Sequence, residues 1–194
     1  MAMRYRKGFF VGIILFLSLV SLGFTEEFSL QYFLAKTQSK EIELSKKEKT
    51  ELLNRMEGVM EEVKRINRNL IQAIQGGGIT MEYQEGRFWM AKLEEDRGSI
   101  DMAIQQIKLL REKPNHLTAS VKLYKSLKDL SSNFNAYNNI SLFSAFVGDL
   151  APEMELWADP VFYKLYLLPL AVLKDREAEP AKKEKKPITK EGKP

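Results

Sequence analysis

Residues 52–78 read LLNRMEGVMEEVKRINRNLIQAIQGGG, and this stretch decides the fold. Its apolar residues recur at alternating spacings of four and three, which is typical of one face of an α-helix. That face consists of Leu52, Met56, Val59, Val63, Ile66, Leu70 and Ala73, and it is widened by Leu53, Met60 and Ile74. A wide apolar face favours a helix packed in a bundle over a two-stranded coiled coil.

Three consecutive glycines, Gly76–Gly78, end this helix in the sequence, because glycine accepts left-handed geometry and is entropically costly inside a helix. A second helical pattern then runs over Trp89–Leu110 and stops before Pro114. Two long helices joined by a short glycine turn predict an antiparallel hairpin. Gly58 and Gly98 lie equally far from the turn, which indicates either a close approach of the two backbones or a coincidence.

Further helical segments follow the hairpin. We expect a third helix over Leu117–Leu130, with Phe134 and Tyr137 either continuing it or belonging to an asparagine-rich loop over Asn133–Asn139. A short apolar helix over Ile140–Leu150 comes next. The fold class is therefore all-α, a long antiparallel helical hairpin extended into a helical bundle of four to five helices over residues 26–173.

The last apolar segment is Val161–Leu173, which we expect to begin with Asp159 as the N-cap and Pro160 in the first turn. Such a helix spans about 20 Å, short of a ~30 Å hydrocarbon core, and Pro169 should bend it. We interpret it as a buried closing element of the bundle. Its core contacts are Phe162, Leu165, Tyr166 and Leu170. The alternative is an apolar-ligand or membrane contact that uses Phe162, Tyr163, Leu165 and Tyr166.

The two ends of the chain differ from the body. Arg4, Arg6 and Lys7 precede an apolar run over Gly8–Phe24, which is the pattern of a secretory signal. Residues 1–25 are therefore interpreted as a signal peptide or a membrane anchor helix. We expect an exported protein, periplasmic or otherwise extracytoplasmic, held at the inner membrane if this segment is uncleaved. Residues 174–194 are rich in Lys, Glu and Pro, which predicts a disordered tail.

The basic balance of the chain lies at these ends. The formal net charge is +4, yet residues 8–173 contain 19 basic and 21 acidic residues. A nucleic-acid-binding domain concentrates Lys and Arg on its folded body. We therefore expect no nucleic-acid partner.

Few residue types for catalysis are present. The chain has no cysteine and one histidine, His116, which excludes thiol chemistry and multi-histidine metal sites. Glu82 and Glu85 could act as a carboxylate pair, but acids in the first turns of a helix also favour its positive end. We expect no catalytic residue, cofactor or metal.

One charge interrupts the apolar row of the second helix. Arg97 falls on that row, where Glu94 and Asp101 could pair with it locally. Alternatively Arg97, together with Trp89 and Phe88, marks a partner site or fixes the helix register.

These patterns favour an exported, non-enzymatic helical protein that acts as an interaction or scaffold component of a cell-envelope assembly. Its partners would be other envelope proteins or further copies of itself, with a peripheral membrane contact as an added option. The alternative is an exported apolar-ligand or lipid-binding module that uses the apolar C-terminal helices. An enzyme acting on cell-wall polymer is the third hypothesis.

Overall fold

The structure is a computed structural model that describes residues 27–39 and 42–183. The described residues are all-helical and contain no β-strand. The helices are α1 (Leu30–Gln38), α2 (Lys46–Gln75), α3 (Tyr83–Glu112), α4 (Leu117–Asn138), α5 (Ser141–Val147), α6 (Leu150–Leu156), a π-helix (Trp157–Leu167) and α7 (Leu168–Lys183). The predicted signal or anchor segment and residues 184–194 lie outside the described residues.

Helices α2 and α3 pack along each other in opposite directions. Near the start of α2, the Asn54 side chain accepts a hydrogen bond from Arg111 at the end of α3, at 2.8 Å. Near the end of α2, the Asn67 side chain donates to the carbonyl oxygen of Leu93, early in α3, at 2.9 Å. Most residues of the apolar face quoted above are fully buried.

The turn at the end of α2 follows the glycine pattern. The helix ends at Gln75, as the three glycines predict. Gly77 adopts a left-handed conformation with a φ of 72°, and the Ile79 N–H donates to the Ala73 carbonyl oxygen at 3.0 Å. A residue with a Cβ would be strained at Gly77, so glycine is required there.

The close backbone approach at Gly58 and Gly98 is wrong. Both glycines are exposed, and a Cβ built on either would meet no atom within 4 Å. Gly58 lines a depression beside α1 and α6, and Gly98 lines one beside α4, so neither position forms a close contact between α2 and α3.

These two kinds of glycine give opposite expected effects on stability. Gly77→Ala should lower the free energy of unfolding by about 1–2 kcal/mol, because alanine is strained in the left-handed region. Gly58→Ala should raise it by about 0.5–1 kcal/mol, because alanine has a smaller entropic cost inside a helix and the site is open. Urea unfolding of both variants measures the difference, and effects of equal sign would contradict it.

Helix α4 is longer than the asparagine content suggests. It starts at Leu117, where the His116 imidazole accepts a hydrogen bond from the Ala119 N–H at 3.1 Å. It continues to Asn138, so the predicted loop over Asn133–Asn139 is wrong. Phe134 and Tyr137 are fully buried, and their burial outweighs the modest helix preference of asparagine.

The C-terminal helices form one continuous run. Asp159 and Pro160 lie inside the π-helix and do not start a helix, contrary to the prediction. In an α-helix the proline ring meets the carbonyl group four residues earlier, and the wider π turn moves that group away. The run over Leu150–Asp175 has 26 residues and is long and apolar enough to cross a membrane by length and composition. The prediction that the C-terminal helix covers only Val161–Leu173, and is too short to cross a hydrocarbon core, is therefore wrong.

The burial of this segment agrees with the prediction that it is a buried closing element of the bundle. Phe162, Leu165, Tyr166 and Leu170 are all buried in the structure, as expected of a closing element. The π-helix packs against both α4 and α1, and the ring of Phe33 in α1 lies 6.0 Å from that of Trp157. Helix α7 extends to Lys183, so the helix continues past Leu173 into the first residues of the predicted disordered tail.

Candidate functional site

The charged residue on the packing face of α3 is Asp96, and Arg97 is its exposed neighbour. Asp96 is fully buried between Leu93 and Ile100 on that face. The Arg97 side chain is 61% exposed and lies 3.6 Å from Glu94. The assignment of Arg97 to the apolar row is therefore wrong by one residue.

Two side chains of α4 donate hydrogen bonds to the Asp96 carboxylate. The Asn133 amide donates to Oδ1 at 2.7 Å, and the Tyr137 hydroxyl donates to Oδ2. We call these three residues the Asp96 cluster. Burial raises the pKa of Asp96, although both hydrogen bonds act to lower it. Burial and the hydrogen bond to Asp96 also raise the pKa of Tyr137.

An aromatic contact chain leads from the Asp96 cluster to the surface. The Trp89 ring lies 5.8 Å from Tyr137 and 5.5 Å from Phe143, with edge-to-face geometry in both pairs. Phe88 contacts Trp89 at 4.8 Å and is 61% exposed. Two of the three residues predicted as a partner or register site are thus connected to the cluster, and Arg97 is not.

The Asp96 cluster is suited to holding two helices together. Each carboxylate oxygen already accepts a hydrogen bond, and a buried charge that lost these donors would be costly. Among the described residues, no group of three or more His, Asp or Glu is placed to hold a metal ion. The geometry therefore supports a structural role for Asp96.

A partly buried group of hydrogen bonds joins the π-helix to α4. Asp159 accepts hydrogen bonds from the Tyr124 hydroxyl at 2.7 Å and from Lys128 Nζ at 2.6 Å. Partial burial raises the pKa of Asp159, but these two hydrogen bonds outweigh it and the net pKa is lowered. The hydrogen bond to Asp159 raises the pKa of Tyr124 to about 12. The sequence does not indicate this contact, because Asp before Pro is also the pattern of a helix N-cap.

The turn between α2 and α3, together with the first turns of α3, carries an exposed apolar surface. Tyr83 is 78% exposed, and the Arg87 guanidinium lies 5.9 Å from the centre of its ring. Beside it lies an open depression of about 720 Å³, whose apolar lining comes mainly from Ile74, Ile79, Met81, Tyr83 and Met90. We call Tyr83, this depression and Phe88, which is exposed five residues further along α3 and does not line the depression, the tip surface.

Apolar cavities lie at the other end of the hairpin. A cavity of about 220 Å³ is lined in part by Leu165, Tyr166 and Leu170, and the Tyr166 hydroxyl donates to the Pro114 carbonyl oxygen at 2.9 Å. Phe162 is buried and stacks on Tyr166 at 5.1 Å. Of the four residues predicted as apolar-ligand or membrane contacts, Leu165 and Tyr166 line this cavity, and Tyr163 is partly exposed beside Tyr124.

No protein-family model, curated protein or solved structure matches this chain. The tip surface and the cavities at the hairpin base are therefore interpreted from their own geometry. Neither surface has a strong signal in the sequence, because their residues come from separate segments. Phe88 is exposed beside Trp89, and the partner site at these two residues stays a prediction.

Proposed function

We propose that this protein is an exported, non-enzymatic scaffold of a cell-envelope assembly and that it binds a partner protein through the tip surface. The observation that carries the proposal is the exposure of Tyr83 and Phe88 at the end of two packed 30-residue helices. A helix of this length spans about 45 Å, so the hairpin presents the tip surface far from its base.

The composition of the tip surface supports protein binding. Aromatic residues, methionine and arginine are enriched at the centre of protein interfaces, and Tyr83, Arg87 and Met90 are of these types. Methionine side chains adapt to different partner shapes because they are unbranched and flexible. Trp89 is anchored on Phe143, which holds the neighbouring Phe88 in a defined position.

The proposed location depends on the sequence of the N-terminal segment. A cationic start followed by the apolar run Gly8–Phe24 supports export. The non-enzymatic part of the proposal is supported by Asp96, Asp159 and Glu48, three acids that each accept hydrogen bonds from several donors and join one helix to another.

Site-specific photo-crosslinking in living cells tests the tip surface. A photoreactive phenylalanine analogue at Tyr83 or Phe88 should give the same crosslinked species, because both positions would contact one partner. The matched control is Val121 on α4, which is 48% exposed and lies outside the tip surface. Crosslinks from Val121 as strong as those from Phe88, or none from any position, would contradict the proposal.

A substitution gives an independent readout. Phe88→Ser should leave the free energy of unfolding within about 0.5 kcal/mol, because Phe88 is largely exposed. It should nevertheless abolish the crosslink from position 83. A crosslinked species with twice the mass of the chain would identify the partner as a second copy.

A further inference from the structure

We propose that the base of the hairpin binds a medium-chain fatty-acid anion, with its hydrocarbon chain in one cavity and its carboxylate beside Lys46 and Lys49 in the adjoining one. This site is at the opposite end of the hairpin from the tip surface, so it stands independently of the proposed partner protein. Three parts of the fold meet there: the residues before and in the first turns of α2, the end of α3 with its junction to α4, and residues 165–173 of the C-terminal helical run.

The first cavity, which we call the tail cavity, fits one hydrocarbon chain. Its apolar walls come from Ile42, Leu44, Pro114, Leu165, Tyr166, Pro169, Leu170 and Leu173. The Tyr166 hydroxyl in this wall is already bonded to the Pro114 carbonyl oxygen. A volume of about 220 Å³ exceeds the ~150 Å³ that encloses benzene and is below the ~300 Å³ of a drug-sized pocket. Two-chain lipids are therefore too large.

The second cavity, which we call the head cavity, is basic. It has a volume of about 210 Å³ and is lined by Lys46, Lys49, Thr50, Leu53, Leu110, Arg111 and Pro114. Lys49 and Pro114 line both cavities, which places Lys49 at their junction. Neither Lys46 nor Lys49 forms an ion pair with any residue in the described part of the chain.

Arg111 supplies a further donor near the head cavity. Its Nη2 atom donates to Asn54 and pairs with Glu57, but its buried Nε has no hydrogen-bond partner. An unsatisfied buried donor is costly, and a carboxylate oxygen is a strong acceptor. The one acid that lines either cavity is Glu43, which is exposed. Two unpaired lysines against one exposed acid favour an anionic head group over a cationic one.

Isothermal titration calorimetry on the full chain tests this site, with decanoate below its micelle concentration as the probe. We expect saturable binding of decanoate and none of decyltrimethylammonium, which has the same chain and the opposite charge. Lys46→Ala with Lys49→Ala should weaken decanoate binding about tenfold or more, because a hydrogen bond to a charged group contributes at least that factor. The control pair is Lys122→Ala with Lys125→Ala, two exposed lysines of α4, which should change nothing.

A second variant tests the tail cavity. Leu173→Trp should abolish decanoate binding by filling the cavity, and it should fold normally because Leu173 is 52% exposed. Binding that both variants leave unchanged would overturn the proposal, since it would come from elsewhere in the chain. Equal affinity for the cationic probe, or no decanoate binding by the folded chain, would also overturn it. So would binding only to phosphatidylglycerol vesicles, which would indicate a membrane surface.

Discussion

Replacing Phe162 with alanine should lower the free energy of unfolding by about 3–5 kcal/mol, which is the usual cost of removing a fully buried aromatic ring. The Phe162 ring has no exposed surface and stacks on Tyr166, whose hydroxyl holds the start of α4 through Pro114. The loss would therefore include transfer of the ring to water and the cavity that it leaves. Urea unfolding monitored by circular dichroism measures this change.

The matched control is Leu168→Ala in the same helical run. Leu168 is an exposed apolar residue, so its substitution should cost below about 1 kcal/mol. The comparison also decides how the 26-residue apolar run is used. If Phe162→Ala has little effect on folding but both variants lose binding to anionic vesicles, the run acts as a membrane contact and the buried packing is wrong.

Replacing Tyr137 with phenylalanine should destabilise the fold by about 1–3 kcal/mol near pH 7, because the Asp96 carboxylate would lose a donor inside the core. The phenylalanine ring preserves the contacts with Trp89, Phe134 and Phe143, so the change is confined to the hydroxyl group. A loss that is the same at every pH would contradict the assignment of this effect to Asp96.

The expected pH dependence follows from the raised pKa of Asp96. Below about pH 4, which is the unfolded pKa of aspartate, the carboxyl group is protonated in both states. As pH rises further, the unfolded state releases the proton first, so this group lowers stability until the folded pKa is passed. Removing the Tyr137 hydroxyl raises the folded pKa further. The cost of Tyr137→Phe should therefore increase as pH rises past the folded pKa of Asp96.

Asp96→Asn separates this effect from other carboxylates. Burial raises the pKa of Glu48, but hydrogen bonds from Lys36, Tyr32 and Ser45 outweigh it and lower the pKa to about 2. Glu48 therefore contributes stability that is lost as pH falls below about 4, the opposite trend to that of Asp96. The difference between the wild-type and Asp96→Asn stability curves isolates the contribution of Asp96.

Local periodicity predicted the central helix well. The apolar face from Leu52 to Leu70 and the stop at Gly76 depend only on neighbouring residues, and the structure has both. The pattern of α3 was ambiguous, because Asp96 and Arg97 are adjacent charges in a gap between Leu93 and Ile100. The partners of Asp96 lie on another helix, so only the fold distinguishes these two residues.

The C-terminal run shows how a tertiary contact overrides a local rule. Asp before Pro is a common helix start, but the Asp159 carboxylate binds Tyr124 and Lys128 of α4 and so does not cap a helix. The two base cavities were unpredictable for a related reason. Their walls combine residues near positions 42–53, 110–115 and 165–173, and no periodic pattern connects these segments.

The contact between α1 and the π-helix constrains the order of events during synthesis. Helices α2, α3 and α4 pack on their sequence neighbours, so they can associate as soon as each is complete. Phe33 must wait for Trp157, which is made near the other end of the chain. Until then, α1 can reach the hairpin through the hydrogen bonds from Tyr32 and Lys36 to Glu48, and its packing on the π-helix completes the fold.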